Sequence, residues 1–139
     1  GDGFLPVIPV IDDYDLDFKV TYRDLWSELH LTQSSVDLNE YGGITFELDQ
    51  APAEGQLQVK VYGENGTEQY IKFSGASPVA EFDASVLGSK AERVTLQLLQ
   101  SGGLTLTVKS VHLIRKDGTL EPCIPSAFWG CEVQLIVTG

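Results

Sequence analysis

The chain has 139 residues, with 20 acidic side chains against 9 basic ones and a net charge of −11. This excess of negative charge argues against nucleic acid or an anionic membrane as partner, since both need a basic surface; a neutral ligand is not penalised. No apolar run approaches the ~20 residues that span a bilayer, and an apolar content of 42% marks a globular chain long enough for one core.

The first residues, GDGFLPVIP, lack a signal-peptide pattern and are stiffened by Pro6 and Pro9. Residues 1–12 therefore read as a linker remnant leading into the first strand, and residues 13–139 as a single domain. In DYDLD, Asp13, Asp15 and Asp17 match the first ligands of a calcium loop, but Phe18 stands where glycine is required. Alternation at period two then dominates. Leu16, Phe18, Val20 and Tyr22 share one face. Leu25, Leu29 and Leu31 share the next, with Trp26, Glu28 and His30 opposite. Ile44, Phe46 and Leu48 point inward, followed by Leu57, Val59 and Val61.

The segment VKVYGENGTEQYIKF folds back at Asn65-Gly66. An odd-length loop centred on Gly66 keeps the phase, setting Val61 against Ile71, Val59 against Phe73, Tyr62 against Tyr70 and Lys60 against Lys72. Two lysines directly opposite need a carboxylate between them, with Glu28 or Glu47 as candidates, or a ligand role. Farther on, Val94, Leu96 and Leu98 alternate, then Leu104, Leu106 and Val108. The phase slips before Val111, which predicts a bulge near Lys109–Ser110. Val133, Leu135 and Val137 close the series. Turn signals recur at Gly42-Gly43, Gly102-Gly103 and Asp117-Gly118, and no stretch has a helical period. The expected fold is all-β, an antiparallel two-sheet β-sandwich.

Both cysteines lie in CIPSAFWGC, and a Cys123–Cys131 disulfide would close a small loop worth roughly 2.6 kcal/mol. Such a bond would point to a secreted chain, whereas two free thiols or a metal site are the alternatives. In that loop, Phe128 is expected to anchor and Trp129 to be presented.

The residues pointing away from the core carry the functional signal. They include Gln56, Gln58, Lys60 and Tyr62, then Tyr70 and Lys72, then Thr95 and Gln97, with Glu132 and Gln134 on the last strand. Amides both donate and accept, which suits hydroxyl groups, and aromatic rings offer flat apolar plates. A sugar has hydroxyls around its rim and C–H groups on its faces. The pattern fits a carbohydrate platform, and it also fits a solvated sheet face.

Catalysis finds little support. Glu81 and Asp83 in EFDASV suggest the paired acids of a β-glucanase, but Val86 occupies the third position. His30 and His112 lie in no nucleophile motif. Asn65-Gly66-Thr67 is formally a glycosylation acceptor, which the hairpin turn explains as well.

The run YGGITFELDQAPAEGQLQVKVYGENGTEQYIKF, with FDASV, RVTLQLLQ and VKSVHLIRKDGT, resembles the β-jelly-roll carbohydrate-binding modules appended to bacterial plant-cell-wall hydrolases. The resemblance spans roughly residues 16 to 138 and has no single diagnostic motif. It implies a jelly-roll whose concave sheet binds single β-glucan chains: cello-oligosaccharides, mixed-linkage glucan or xyloglucan. Trp26, Tyr62, Tyr70 and Trp129 would stack on sugar rings. Gln58, Lys60, Lys72, Gln97 and Gln134 would hydrogen-bond hydroxyls, beside Glu28 and His30. A structural calcium held by Asp12, Asp13, Asp15 or Asp117 is also implied. So is a secreted, monomeric, non-catalytic module attached to a glycoside hydrolase. The cysteine loop has no place in the family pattern. The rival expectation is an extracellular adhesin-like or scaffold sandwich that binds protein, marked by an apolar outward patch.

Overall fold

The computed structural model describes residues 16–73, 78–123 and 127–137. Asp12, Asp13 and Asp15 lie outside them. The period-two segments form two antiparallel sheets. One contains β1 (Leu16–Tyr22), β4 (Tyr41–Leu48), β7 (Val79–Glu81), β9 (Leu104–Arg115), β10 (Leu120–Pro122) and β12 (Cys131–Val137). Its order is β12-β1-β9-β4-β7, with β10 paired to β9. The other contains β2 (Glu28–His30), β3 (Val36–Asp37), β5 (Leu57–Gly63), β6 (Glu68–Lys72), β8 (Lys90–Leu98) and β11 (Ala127–Trp129). Its order is β11-β2-β8-β5-β6, with β3 paired to β8. A single turn of helix, α1 (Ala84–Leu87), precedes β8.

The alternating apolar residues bury the space between the sheets. Val20, Ile44, Val59, Val61, Val94, Leu96 and Val108 are all inaccessible to water. Tyr22 is buried among them because its hydroxyl donates to Leu96 O across the sandwich at 2.9 Å. Burying each such side chain stabilises the fold by roughly 1.5–3 kcal/mol. The bulge expected at Lys109–Ser110 is present: Glu47 pairs with Ser110 and Leu48 with Val108, leaving Lys109 as the extra residue.

The β5–β6 hairpin keeps the expected phase but not the expected register. Its loop is Glu64-Asn65-Gly66, centred on Asn65 rather than Gly66, with Gly63 N donating to Thr67 O at 2.8 Å. Asn65 takes a left-handed conformation at φ 57°, ψ 32°, which asparagine tolerates. The pairs are Gln58 with Lys72, Val59 with Ile71, Lys60 with Tyr70, Val61 with Gln69 and Tyr62 with Glu68. The two lysines are therefore not opposed. Hydrophobic matching preferred Ile71 against Val61, but Gln69 is accommodated there because its Oε1 accepts from Asp83 N at 3.0 Å. Gly63 starts the loop where an added Cβ would lie 2.5 Å from Leu87 O.

The cysteine loop is not stapled. Cys123 and Cys131 are thiols. Cys123 N donates to Val111 O, while Cys131 pairs with Tyr22, which pairs with Leu104. Positions 104 and 111 lie seven residues apart on β9, roughly 23 Å along a strand. A disulfide needs Cα atoms within about 7 Å. Between them in sequence, β11 lies beside β2 in the other sheet. With both cysteines as thiols, no disulfide points to a secreted chain. Burial pushes Cys123 up to about 11 and Cys131 up to about 12, so both stay protonated at neutral pH.

Two thiols per chain should therefore titrate after unfolding without reductant, and reductant should leave the melting temperature unchanged. A thiol count of zero would restore the disulfide.

Candidate binding groove

Register brings side chains from four strands into rows on the outer face of the β2-β8-β5-β6 sheet. Glu28 pairs with Gln97, Gln97 with Gln58, and Gln58 with Lys72. A second row runs His30, Thr95, Lys60 and Tyr70, and a third runs Arg93, Tyr62 and Glu68. β11 extends the first row, because the backbone of Trp129 pairs with Glu28. Five strands at about 4.8 Å spacing make the row roughly 19 Å long.

Along this row lies an open groove with about 860 Å³ of space. Trp26, Glu28, Gly55, Gln58, Lys60, Tyr70, Lys72, Gln97 and Leu99 line it. Trp26 and Tyr70 are large rings left 52% and 55% exposed, whereas Glu28, Gln58 and Gln97 on the floor are 8%, 4% and 4% exposed.

Hydrogen bonds knit the floor. Gln58 Nε2 donates to Gln97 Oε1 at 2.8 Å, and Gln97 Nε2 donates to Glu28 Oε2 at 3.0 Å. Tyr62 Oη donates to the same carboxylate oxygen at 2.7 Å. Lys60 Nζ lies 4.0 Å from Glu28 and 3.1 Å from Glu68, which also accepts from Tyr70 Oη at 2.6 Å. Burial raises the Glu28 carboxyl, but His30, Tyr62 and Lys60 together hold it below the usual range. Burial likewise opposes the Lys60 charge, and Tyr62 and Glu68 outweigh it and raise the ammonium's pKa.

Trp26 is held in an uncommon conformation. Its φ is 72°, a region that bulky residues enter at a cost of order 1–3 kcal/mol. The surroundings impose it. Trp26 N donates to Leu98 O at 3.0 Å, and the preceding Asp24 Oδ1 accepts from Leu25 N at 2.8 Å and Gly102 N at 3.1 Å. The buried Ser27 follows, packed where a Cβ on Gly130 would meet its Oγ at 2.4 Å. The ring is thereby presented at the groove rather than folded into the core.

Of the residues expected at a site, Trp26, Glu28, Gln58, Lys60, Tyr70, Lys72 and Gln97 converge. His30 shares the face, with Nε2 3.8 Å from Glu28 Oε1, but stands outside the groove lining. Tyr62 is occupied within the protein, its hydroxyl on Glu28 and its ring under Arg93, whose Cζ is 4.0 Å from the centroid. Gln134 is misplaced. On β12 it pairs with Lys19 of β1, exposed on the outer face of the other sheet, because alternation reveals a strand's faces but not its sheet. For Trp129, and for the proposed division of labour with Phe128, the described structure extends to the backbone alone.

Arg93 and Glu68 were not anticipated, and their place depends on the β5 register. Asp117 Oδ1 accepts from Thr119 N at 2.8 Å, which commits it to its turn, and no cluster of three or more metal-binding groups occurs among the described residues. Asp83 caps α1, its Oδ1 accepting from Ser85 N at 2.9 Å.

Fold and site define a class: an antiparallel β-sandwich carrying an aromatic-rimmed, amide-floored groove on one outer face. No family model, curated protein or solved structure matches this chain.

Glu28 should make stability fall in acid. Its lowered folded pKa contributes stability that is complete above the ordinary glutamate range and is lost as pH falls through the folded value. Tyr62→Phe should cost about 1–2 kcal/mol at neutral pH and shrink this acid loss, as read by urea unfolding from pH 7 to 3. An unchanged pH profile would show that Tyr62 does not hold the carboxylate.

Proposed function

We propose that this protein is a non-catalytic carbohydrate-binding module that holds a single β-glucan chain in the groove. The observation that carries the reading is the combination of Trp26 and Tyr70, exposed at the rim, with Gln58, Gln97, Lys60 and Lys72 along the floor and wall. Rings can stack on the C–H faces of sugars, and amides and ammonium groups can engage the hydroxyls. The open shape suits a chain that enters from the side and continues beyond both ends. A row of roughly 19 Å offers room for a few sugar rings.

The interleaved orders β1-β9-β4-β7 and β2-β8-β5-β6 support a jelly-roll reading. They follow from a chain that repeatedly crosses between the two sheets. A neutral polysaccharide also agrees with a net charge of −11. Several hydrogen bonds of about 1 kcal/mol each, less association costs, point to a dissociation constant of roughly 10 μM to 1 mM. Such a module would act by keeping an attached glycoside hydrolase near its polysaccharide, outside the cell.

Affinity electrophoresis through cello-, mixed-linkage and xylo-glucans tests the reading. Retardation by at least one is expected, nearly independent of salt. Trp26→Ala and Tyr70→Ala should each weaken binding roughly three- to tenfold. Retardation by none of the polysaccharides would refute the proposal and favour a protein partner.

A further inference from the structure

We infer that Glu28 is a positioning residue that fixes the direction of the hydrogen-bond chain in the groove floor, so that a ligand meets an acceptor at Gln58, beside the donor that Lys72 supplies in any case. The ligand part of this inference rests on the sugar reading; the hydrogen-bond direction does not.

A glutamine side chain has an oxygen and an NH2 of nearly equal size, and its two orientations are distinguished only by what surrounds it. An ionised carboxylate accepts and cannot donate. Glu28 Oε2 therefore demands the Nε2 end of Gln97, at 3.0 Å. Trp26 O, also acceptor-only, takes Gln97 Nε2 from another side at 3.4 Å. Gln97 Oε1 is thereby turned toward Gln58, which must answer with its own Nε2, at 2.8 Å. The direction propagates one strand at a time along the row, and it ends with Gln58 Oε1. Among the described residues no hydrogen bond engages that oxygen. Opposite Gln58 stands Lys72, exposed and donor-only.

Tyr62 and Lys60 secure the charge on which this direction depends, since one donates to Glu28 Oε2 and the other lies 4.0 Å away. A neutral glutamine at position 28 could present either end to Gln97. The floor would then lose its strongest reason to point one way, while volume and packing stayed almost the same.

Two measurements on the intact chain test the inference. In the free protein, the side-chain NH2 of Gln97 should exchange slowly with water by NMR, and about tenfold faster in Glu28→Gln. A calorimetric double-mutant cycle with cellohexaose then reads the consequence. Glu28→Gln should weaken binding by about three- to tenfold in the native background and less than about twofold in a Gln58→Leu background. Unchanged Gln97 exchange, or an equal loss in both backgrounds, would overturn the inference, the latter by showing that Glu28 acts without Gln58. If the native chain bound no glucan while Gln97 exchange still responded to position 28, the sugar reading would fail and the hydrogen-bond direction would stand.

Discussion

A glutamate side chain only 11% exposed on the outer face of a sheet is the constraint on which the groove depends. Taking an ionised glutamate from water costs several kcal/mol unless its oxygens are fully engaged. Glu28 meets that cost with groups from three strands: Tyr62 and Lys60 from β5, Gln97 from β8, and His30 on its own strand nearby. These partners are brought together by register alone. A slip of one residue in β5 would turn Tyr62 and Lys60 toward the core, and one in β8 would turn Gln97 inward, either way leaving the charge short of partners. The same charge that requires a fixed register also orders the amides above it.

Around this centre the aromatic groups divide into two kinds. Tyr62 is taken up by the network, ring and hydroxyl together. Trp26 and Tyr70 are left outward, Trp26 by a backbone conformation that its neighbours enforce and Tyr70 by its place on the sheet edge, with its hydroxyl tied to Glu68. Exposed aromatic surface beside a buried polar floor has no evident value to folding. It costs apolar exposure at Trp26 and backbone strain as well. Features that stability would not select are the ones a ligand would explain.

Much of the fold was legible from the sequence because period two is a direct consequence of strand geometry. The core residues Val20, Ile44, Val59, Leu96 and Val108, and the Lys109 bulge, follow from that alternation. What alternation does not encode is which strands are neighbours. Gln134 has the right periodicity and lies on the wrong sheet, since β12 pairs with β1 rather than with β2. The β5–β6 register depended on a polar edge residue, Gln69, finding a backbone donor from the segment before α1. Once that register is known, Glu68 falls into place beside Lys60 and Tyr62, while Arg93 is placed by the separate β5–β8 register. The cysteines were read as a pair from their closeness in sequence, but a crossover between sheets separates them. Trp26 was expected on the face, while its left-handed conformation arises from long-range contacts with Leu98 and Gly102 that no local pattern announces.

A glucan chain, as proposed, would lie on the outer face of the β2-β8-β5-β6 sheet. Backbone NMR shift mapping during titration with cellohexaose tests it most directly. Progressive shifts are expected at Trp26, Gln58, Lys72 and Gln97, with Lys19, Thr107 and Gln134 on the opposite sheet unmoved. Shifts confined to the opposite sheet, or none at millimolar sugar, would contradict it.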